Sequence, residues 1–429
     1  MDGIRGLEHE DPLGFMDVGR HLDGRGEAGR TGPLIALGAL YFIFGFITCL
    51  NDILVPHLKA VFELNYAGAM LIQFSFFSAY FIMSLPSGWL VDRVGYQRGM
   101  VSGLVTMAAA CTLFYPAAGT RSYGLFLAAL FLLAGGITLL QVAANPYVAL
   151  LGPRETASSR LTLTQAFNSL GTTLAPMFGS ALILAAAGAG SVQLPYLGLA
   201  AALAGLALFT AWFPMPGAGP AEPRADRRTD SAGSAGSAGS LWRHRPMLLG
   251  AIAIFLYVGA EVGIGSFLVN YIHQLGTGGQ TLAQSARYVS IYWGGAMMGR
   301  FAGSAVMRVL APPRVLACNA LAAIVLVLTA IAAHGRLSMW AILSVGFFNS
   351  IMFPTIFTLA IKDLGQNVGQ ASGILCMAVV GGAVVPLLQG LLADWQGIRV
   401  AFVLPALCYA YIAFYGAAGH LPVRREGRL

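Results

Sequence analysis

Two carboxylates lie inside membrane-length apolar stretches, where a charge needs a specific reason. Asp52 follows Asn51 near the middle of "GALYFIFGFITCLNDILVPHL", and Glu261 lies in the first apolar stretch of the second half of the chain. A carboxylate at the centre of a transmembrane helix costs about 2.5–3.5 kcal/mol on insertion scales. Such residues usually mark ion pathways or proton relays. We therefore predict that Asp52 and Glu261 couple a cation to transport, the alternative being a static pair with Arg300 or a hydrogen bond to the backbone.

Side-chain amides form the second chemical pattern. In "LLQVAANPYV" Gln141 and Asn145 are four residues apart, and in "LTQAFNSLG" Gln165 and Asn168 are three apart, so each pair shares one helix face. Buried amides can simply hold helices together, and that alternative stays open for each of them. Amides on two neighbouring spans beside a carboxylate favour a sugar site, because they supply donors and acceptors for hydroxyl groups. Further lining candidates are Asn51, Gln73, Asn270, Asn349 and the aromatic residues Phe46 and Trp293.

The composition places these residues in a membrane. Of the 429 residues 57% are hydrophobic and 10% are charged, and the mean hydropathy is +0.71, whereas soluble domains carry about 25% charged residues. Stretches of about 20 apolar residues, long enough to cross a bilayer, recur along the chain. The sequence predicts an all-α membrane protein whose twelve spans are 33–57, 68–91, 98–117, 122–150, 161–187, 194–213, 247–272, 284–307, 314–333, 338–361, 368–393 and 398–417.

The positive charges predict the orientation. Twelve spans put both termini on one side, and most of the 25 Lys and Arg fall in the tails, the central segment and every second loop. The positive-inside rule then predicts a multi-pass protein of a bacterial inner membrane with both termini cytoplasmic. The net charge of +7 follows from this bias and does not suggest nucleic acid as a partner.

The chain divides once, at a polar segment containing "SAGSAGSAGS". Six spans precede this segment and six follow it, and the halves resemble each other weakly, as in "ANPYVALLGP" and "FPTIFTLAIKDLG". Internal repeats of this kind are typical of transporters in which two bundles rock about a midplane site. The predicted units are a polar, disordered cytoplasmic tail (1–32), a six-helix bundle (33–213), a flexible cytoplasmic linker (214–245), a second bundle (246–418) and a cytoplasmic tail (419–429).

The segment "GWLVDRVGYQR" is the strongest short motif. Its glycines allow a tight turn and a close helix approach, and Asp92 could hold arginines or a helix N-terminus on the cytoplasmic side. Such a contact would break when the bundles rock. We predict a conformational latch made of Gly88, Asp92, Arg93, Gly95 and Arg98. A degenerate echo, "GSAVMRVLAPPR", carries Met307 where the first half has Asp92.

Other function classes fit less well. The five cysteines lie in apolar runs without metal-ligand spacing, and the histidines form no HExxH pattern, so we expect no metal, no cofactor and no enzyme. A drug–proton antiporter would favour a more apolar cavity. A sugar sensor that does not transport would be separated from a carrier only by a flux assay.

These segments resemble a known family. "GWLVDRVGYQR" is similar to the loop motif of the major facilitator superfamily. The segments "LNDILVPHL", "LQVAANPYVALLGP", "LTQAFNSLG", "YVGAEVGIGSFLVNY" and "PTIFTLAIKDLG" resemble the fucose–proton symporter family across all twelve spans. The resemblance implies two six-helix bundles, alternating access, and a role for Asp52 in proton coupling and sugar binding.

Two positions depart from the fucose carriers of that family. Those carriers have "LETAANP" where this chain has "LQVAANP" with Gln141, and "YVGAQ" where it has "YVGAE" with Glu261. Both departures match the glucose/galactose porters of the family. We therefore expect a monomeric symporter of glucose and galactose, with L-fucose or another sugar as the alternative substrate. Protons are the expected coupling ion, with sodium left open.

Overall fold

The structure, a computed structural model, describes residues 28–62, 66–179, 193–217, 244–275, 282–364 and 367–421. Within these ranges the side chains of residues 28–31, 50–61, 66–71, 73, 176–179 and 282–287 are not described. The predicted N-terminal tail up to residue 27, the linker from 218 to 243 and the tail from 422 lie outside the description.

Helices form all twelve predicted spans, and the described residues contain no strand. The unbroken helices are α1 (Ala28–Val61), α2 (Tyr66–Val94), α3 (Tyr96–Gly119), α4 (Tyr123–Leu150), α5 (Ala157–Gly179), α6 (Gln193–Trp212), α7 (Arg245–Gln274), α8 (Leu282–Val306) and α9 (Pro312–Ala332). The interrupted helices are α10a (Gly335–Asn349) with α10b (Met352–Ala360), α11a (Val368–Met377) with α11b (Gly381–Gln396), and α12 (Ile398–Ala401, Val403–Phe414 and Tyr415–Gly419). A 3₁₀ turn, Ala378–Val380, joins α11a to α11b, and another, Arg154–Thr156, precedes α5.

The helix ends have local causes that the sequence already contains. Gly95 has φ 86°, a left-handed conformation that favours glycine, and it turns the chain from α2 directly into α3. The Ser122 hydroxyl accepts a hydrogen bond from the Leu125 N–H and caps α4. The helix of the fifth span begins at Ala157, four residues before the predicted start, because the 3₁₀ turn leads straight into it; the predicted part 180–187 lies outside the described residues.

Two helices are less apolar than the rest. Ten helices in the described part of the chain are long and apolar enough to span a membrane, and neither α5 nor α8 is among them. The reason is their polar content, which includes Gln165, Asn168 and Ser169 in α5 and Arg300 in α8. These two helices contact each other across the boundary between the halves. The least apolar helices therefore face protein rather than lipid alone.

The first six helices and the last six form two bundles that meet over a limited surface. The contacts that join them include α2 with α11a, α4 with α11a, and α5 with α8 and α10b. These contacts include Gly88 with Gly369, Ser158 with Thr358 and Ser159 with Ser304. All of these residues lie toward the helix ends that the positive charges predict to be cytoplasmic. The bundles are thus in contact on the predicted cytoplasmic side.

Candidate functional site

A buried polar cluster lies in the first bundle, where α1, α2, α4 and α5 come together. The Tyr41 hydroxyl donates a short hydrogen bond to Asn145 Oδ1, and Asn168 Nδ2 donates to the Tyr41 carbonyl at 3.2 Å. Gln141 Nε2 donates to the Tyr80 hydroxyl at 3.2 Å. All three amide residues are less than a tenth exposed. The amides of α4 and α5 are therefore tied to tyrosines on α1 and α2.

Close helix packing positions this cluster. A Cβ atom added at Gly45 of α1 would collide with the backbone of Asn168, and one at Gly171 of α5 would collide with the backbone of Phe42. Because both positions are glycine, α1 and α5 approach closely enough for a side chain of one to reach the backbone of the other. The Asn168 contact depends on this approach.

Gln165 differs from its neighbouring amides. It is 7% exposed, and its side chain makes no hydrogen bond to any residue that the structure describes. Because no described residue occupies its amide, the donors and the acceptor of Gln165 remain available for a ligand. Gln165 is therefore a candidate to bind a polar molecule.

A second polar cluster lies in the other bundle. Asn349 Nδ2 donates to the Tyr292 hydroxyl at 3.0 Å, and the Tyr409 hydroxyl donates to Asn349 Oδ1 at 3.2 Å. Tyr257 lies one helical turn before Glu261 on α7. Both side chains are close enough to Tyr409 to interact with it electrostatically. The Glu261 side chain is only 14% exposed. The predicted residues Glu261 and Asn349 thus lie in one cluster, together with three tyrosines.

Arg300 connects the two bundles. From α8 its Nη1 donates to the Gln165 carbonyl at 3.3 Å and, in a short hydrogen bond, to the Ser169 hydroxyl on α5. Its Nε donates to the Ser350 carbonyl at 3.3 Å. Its Nη2 lies 3.9 Å from Glu261 Oε1, a charge–charge distance too long for a hydrogen bond. One guanidinium therefore contacts both bundles and the buried carboxylate.

The structure places the other predicted lining residues less centrally. Trp293 is 40% exposed and meets the Tyr292 ring edge to face at 5.2 Å. Phe46 is partly buried and stacks on Phe42 at 6.3 Å. Asn270 is exposed, nine residues after Glu261 and so about 14 Å further along α7; the structure does not bring it to either cluster.

Three predicted residues cannot be placed at the side-chain level. Asn51 and Asp52 belong to α1 and Gln73 belongs to α2, but their side chains lie outside the described residues.

The latch motif reaches the other bundle. The Asp92 carboxyl group lies at the start of α11a, so close to the backbone that a Cβ atom added at Gly369 would collide with it. A Cβ atom at Gly88 would lie 2.9 Å from the Gly369 carbonyl oxygen. A carboxylate at a helix N-terminus is favoured by the unpaired N–H groups and the helix dipole. Asp92 thus holds a helix N-terminus.

The arginines of the motif lie elsewhere. The Arg93 guanidinium stacks 3.5 Å above the Trp89 ring, and both Arg93 and Arg98 are exposed. The described structure therefore places them away from the Asp92 carboxylate contact. Gly95 serves the turn between α2 and α3.

The opposite edge of the interface uses hydroxyl groups. Ser158 and Thr358 share a hydrogen bond at 2.6 Å, and the Ser159 hydroxyl donates to the Ser304 carbonyl at 2.6 Å. Met307, the counterpart of Asp92, is buried and accepts a contact from a threonine of its own bundle. The two edges of the interface are therefore chemically different, one anchored by a carboxylate and one by hydroxyls.

An exposed ion pair also joins the bundles. Arg154 Nη1 and Asp363 Oδ1 are 3.0 Å apart, and both side chains are about half exposed. Asp363 has φ 64°, in the left-handed region. His244 lies nearby, where burial lowers its pKa while Asp363 opposes the shift.

Sequence reasoning missed Ser169 and the tyrosines of both clusters. Buried tyrosines usually find a partner for the hydroxyl group. Tyr257, one helical turn from Glu261, was therefore a usable signal. Tyr41, Tyr80, Tyr292 and Tyr409 carry no such mark in the sequence, because their partners lie on other helices. In the described part of the chain no group of three or more His, Cys, Asp or Glu could hold a metal ion.

Comparison with known proteins decides the family. The Major Facilitator Superfamily pattern matches residues 37–379. The chain belongs to the major facilitator superfamily. It is thus a multi-pass membrane protein of a transporter family and not an enzyme, and the predicted fold is confirmed.

Relatives narrow the family further. A glucose/galactose transporter of Brucella abortus is 55% identical over 394 residues, covering 90% of this chain and 93% of the relative. The L-fucose-proton symporter of Escherichia coli is 34% identical over 409 residues, covering 89% and 92%. A crystal structure of the superfamily transporter FucP in the outward conformation matches with a TM-score of 0.81 at 34% identity, covering 90% of this chain and 98% of that one. Within the superfamily, this transporter belongs to the group that contains these proteins, as its motifs indicate.

Proposed function

We propose that this transporter takes up glucose and galactose across a bacterial inner membrane by cation-coupled symport, with both termini cytoplasmic. One observation carries the proposal: Arg300 links α5, the helix that carries the amides Gln165 and Asn168 in the first bundle, to the buried carboxylate Glu261 in the second. The amides suit a neutral polyol, and the carboxylate suits a cation. The identity of the 55% relative as a glucose/galactose transporter supports the choice of sugar.

The sugar is bound by the amide set. Gln165 supplies free donors and an acceptor, and Gln141 presents its amide beside the Tyr80 hydroxyl. Asn145 and Asn168 hold α1 against α4 and α5 and complete the lining. Further contacts come from Asn51, Gln73 and Asn349, with Phe46 and Trp293 as aromatic faces for the sugar C–H surface.

The coupling ion is carried by Asp52 and Glu261. A proton is favoured because Glu261 is buried and its neighbours include neutral tyrosine hydroxyls that can share hydrogen bonds with a protonated carboxyl group. Protonation from outside allows sugar to bind, and release inside resets the carrier. Sodium is the alternative ion.

Transport follows from rocking of the two bundles, 33–213 and 246–418. The segment 214–245 connects the bundles, and residues 1–32 and 419–429 are the tails. The present arrangement, closed on the predicted cytoplasmic side, corresponds to the outward-facing state. Asp92 at the start of α11a latches this state. Gly88 at the helix crossing and Gly95 at the turn allow the contact, and Arg93 and Arg98 face the cytoplasm. The latch must release for sugar to leave.

Uptake of labelled D-glucose into proteoliposomes under an imposed proton gradient tests the proposal. Unlabelled galactose, L-fucose and mannose serve as competitors, and a sodium gradient replaces the proton gradient in a parallel arm. We expect accumulation that galactose blocks and fucose does not. The Asp52→Asn variant should lose accumulation while it retains exchange.

Three results would each change a different part of the proposal. Uptake only with sodium would retain the sugar and change the ion. Inhibition by fucose and not by galactose would assign L-fucose as substrate. Absence of glucose flux under both gradients, in protein that is folded, would refute hexose uptake.

A further inference from the structure

Arg300 belongs to the second bundle and forms hydrogen bonds with the first. Its guanidinium belongs to α8, yet two of its hydrogen bonds reach α5, at the Gln165 carbonyl and the Ser169 hydroxyl. The side chain is 12% exposed. A buried guanidinium keeps its charge, because the pKa of arginine lies above about 12. Its charge must therefore be compensated in every state of the transport cycle.

The compensation in this state comes mainly from neutral groups. The acceptors on α5 and the Ser350 carbonyl are uncharged, whereas the Glu261 carboxyl oxygen lies 3.9 Å away. Glu261 Oε1 accepts no hydrogen bond from the described residues. Arg300 thus gives its hydrogen bonds to α5 and to Ser350, whereas its contact with Glu261 is an ion pair at 3.9 Å without a hydrogen bond.

Opening on the predicted cytoplasmic side changes this balance. When α5 moves away from α8, Arg300 loses the Gln165 and Ser169 acceptors, while Glu261 stays within its own bundle. The nearest strong acceptor is then the Glu261 carboxyl group, and a charge-assisted pair requires the ionised form.

We propose that Arg300 exchanges its acceptors on α5 for Glu261 when the bundles part, and that this exchange expels the Glu261 proton on the side that has opened. The proposal deepens the proposed symport, on which it rests. The Glu261 O–H bond breaks, the proton passes to water in the opened vestibule, and the carboxylate pairs with the guanidinium. Closing reverses each step, so that Glu261 recovers its proton from the other side.

The groups facing Glu261 support this assignment. They are Tyr257 on its own helix, Tyr292 and Arg300 on α8, and Tyr409 on α12. Of these only Arg300 is charged at neutral pH, since tyrosine ionises at a pKa of about 10. A mobile guanidinium is therefore the only described neighbour that can change the charge environment of Glu261 during the cycle.

A positioning role for Ser169 makes the proposal testable without removing the arginine. Ser169→Ala deletes one acceptor on α5 and leaves Arg300 and Glu261 intact. Thr172→Val is the matched control, because the Thr172 hydroxyl bonds only within its own helix among the described contacts, to the Ser169 carbonyl at 2.8 Å. Arg300→Gln, Arg300→Lys and Glu261→Gln complete the set.

Maleimide labelling of Cys376 reports the opening. Cys376 on α11a is fully buried, and α11a packs against α2 and α4 of the other bundle. With the other four cysteines replaced, its labelling from the predicted cytoplasmic side measures the open population as a function of pH. The labelling needs no sugar, so its result is independent of whether glucose is the substrate.

Ser169→Ala should raise labelling at least about tenfold, the lower end for a lost hydrogen bond to a charged group, and Thr172→Val should leave it unchanged. Lowering the pH should suppress labelling in the wild type, because a protonated Glu261 cannot pair with Arg300. Glu261→Gln and Arg300→Gln should each abolish that pH dependence, and Arg300→Lys should restore part of it. A pH dependence that persists in both Gln variants would overturn the proposal, and so would a Ser169→Ala variant that labels like the wild type.

Discussion

The contact between Asp92 and the start of α11a makes a quantitative prediction about the closed state. The Asp92 carboxyl group lies against Gly369, in the first turn of α11a of the other bundle. Asp92→Asn removes the negative charge, and its amide can still accept a hydrogen bond. Helix-terminal charge effects are worth about 0.3–1 kcal/mol when exposed and up to about 2 kcal/mol when partly buried. The site is partly buried, so we expect a loss of about 1–2 kcal/mol.

That loss translates into a population shift. At about 1.4 kcal/mol per factor of ten, opening on the predicted cytoplasmic side should increase roughly 5- to 30-fold. Labelling of Cys376, in protein that lacks the other cysteines, measures the change. Transport should slow as well, because the return to the outward-facing state loses its latch.

Asp363→Asn is the matched control. It also removes a carboxylate that joins the bundles, but from an ion pair that is about half exposed on both sides. Pairs of this kind contribute about 0.2–1 kcal/mol, so labelling should rise less than about fivefold. An Asp363→Asn effect equal to or larger than that of Asp92→Asn would refute the helix-terminus argument.

Three further predictions follow from the same geometry. Gly88→Val should raise Cys376 labelling more than Asp92→Asn does, because the added Cβ would lie 2.9 Å from the Gly369 carbonyl oxygen and overpacking costs about 1–3 kcal/mol. Gln165→Ala should raise the KM for glucose uptake at least tenfold and leave the unfolding temperature unchanged, since its amide bonds to no described residue. Burial lowers the pKa of His244, so the folded state favours the neutral imidazole. The stability that depends on a neutral His244 is therefore present above about pH 6.5, and it is lost as the pH falls below this value. The Tm of the wild type in detergent should therefore fall more on acidification than that of His244→Gln, and equal acid sensitivity would contradict this assignment.

Much of the fold was predictable from the sequence because membrane insertion is a local constraint. Each span must satisfy its own backbone hydrogen bonds and present apolar side chains to lipid, so hydropathy alone locates helices such as α4 and α9. The same logic explains why α5 and α8 fall short as apolar spans: they face protein, where polar groups find partners. The carboxylate of Glu261 could also be recognised from the sequence, because the free-energy cost of placing it in an apolar span depends only on its own helix.

The partners of these polar residues were decided only by the tertiary structure. Nothing in the sequence ties Asn145 to Tyr41, 104 residues earlier, or Arg300 to Ser169, 131 residues earlier. Asp92 was compatible with arginines or with a helix N-terminus, and the packing of α2 against α11a decided for the helix. The sequence by itself determined which residues are too polar to face lipid. Only the packing of helices from both bundles decided which of those residues meet, because hydrogen bonds and ion pairs require contact distances that no pattern along a single helix encodes.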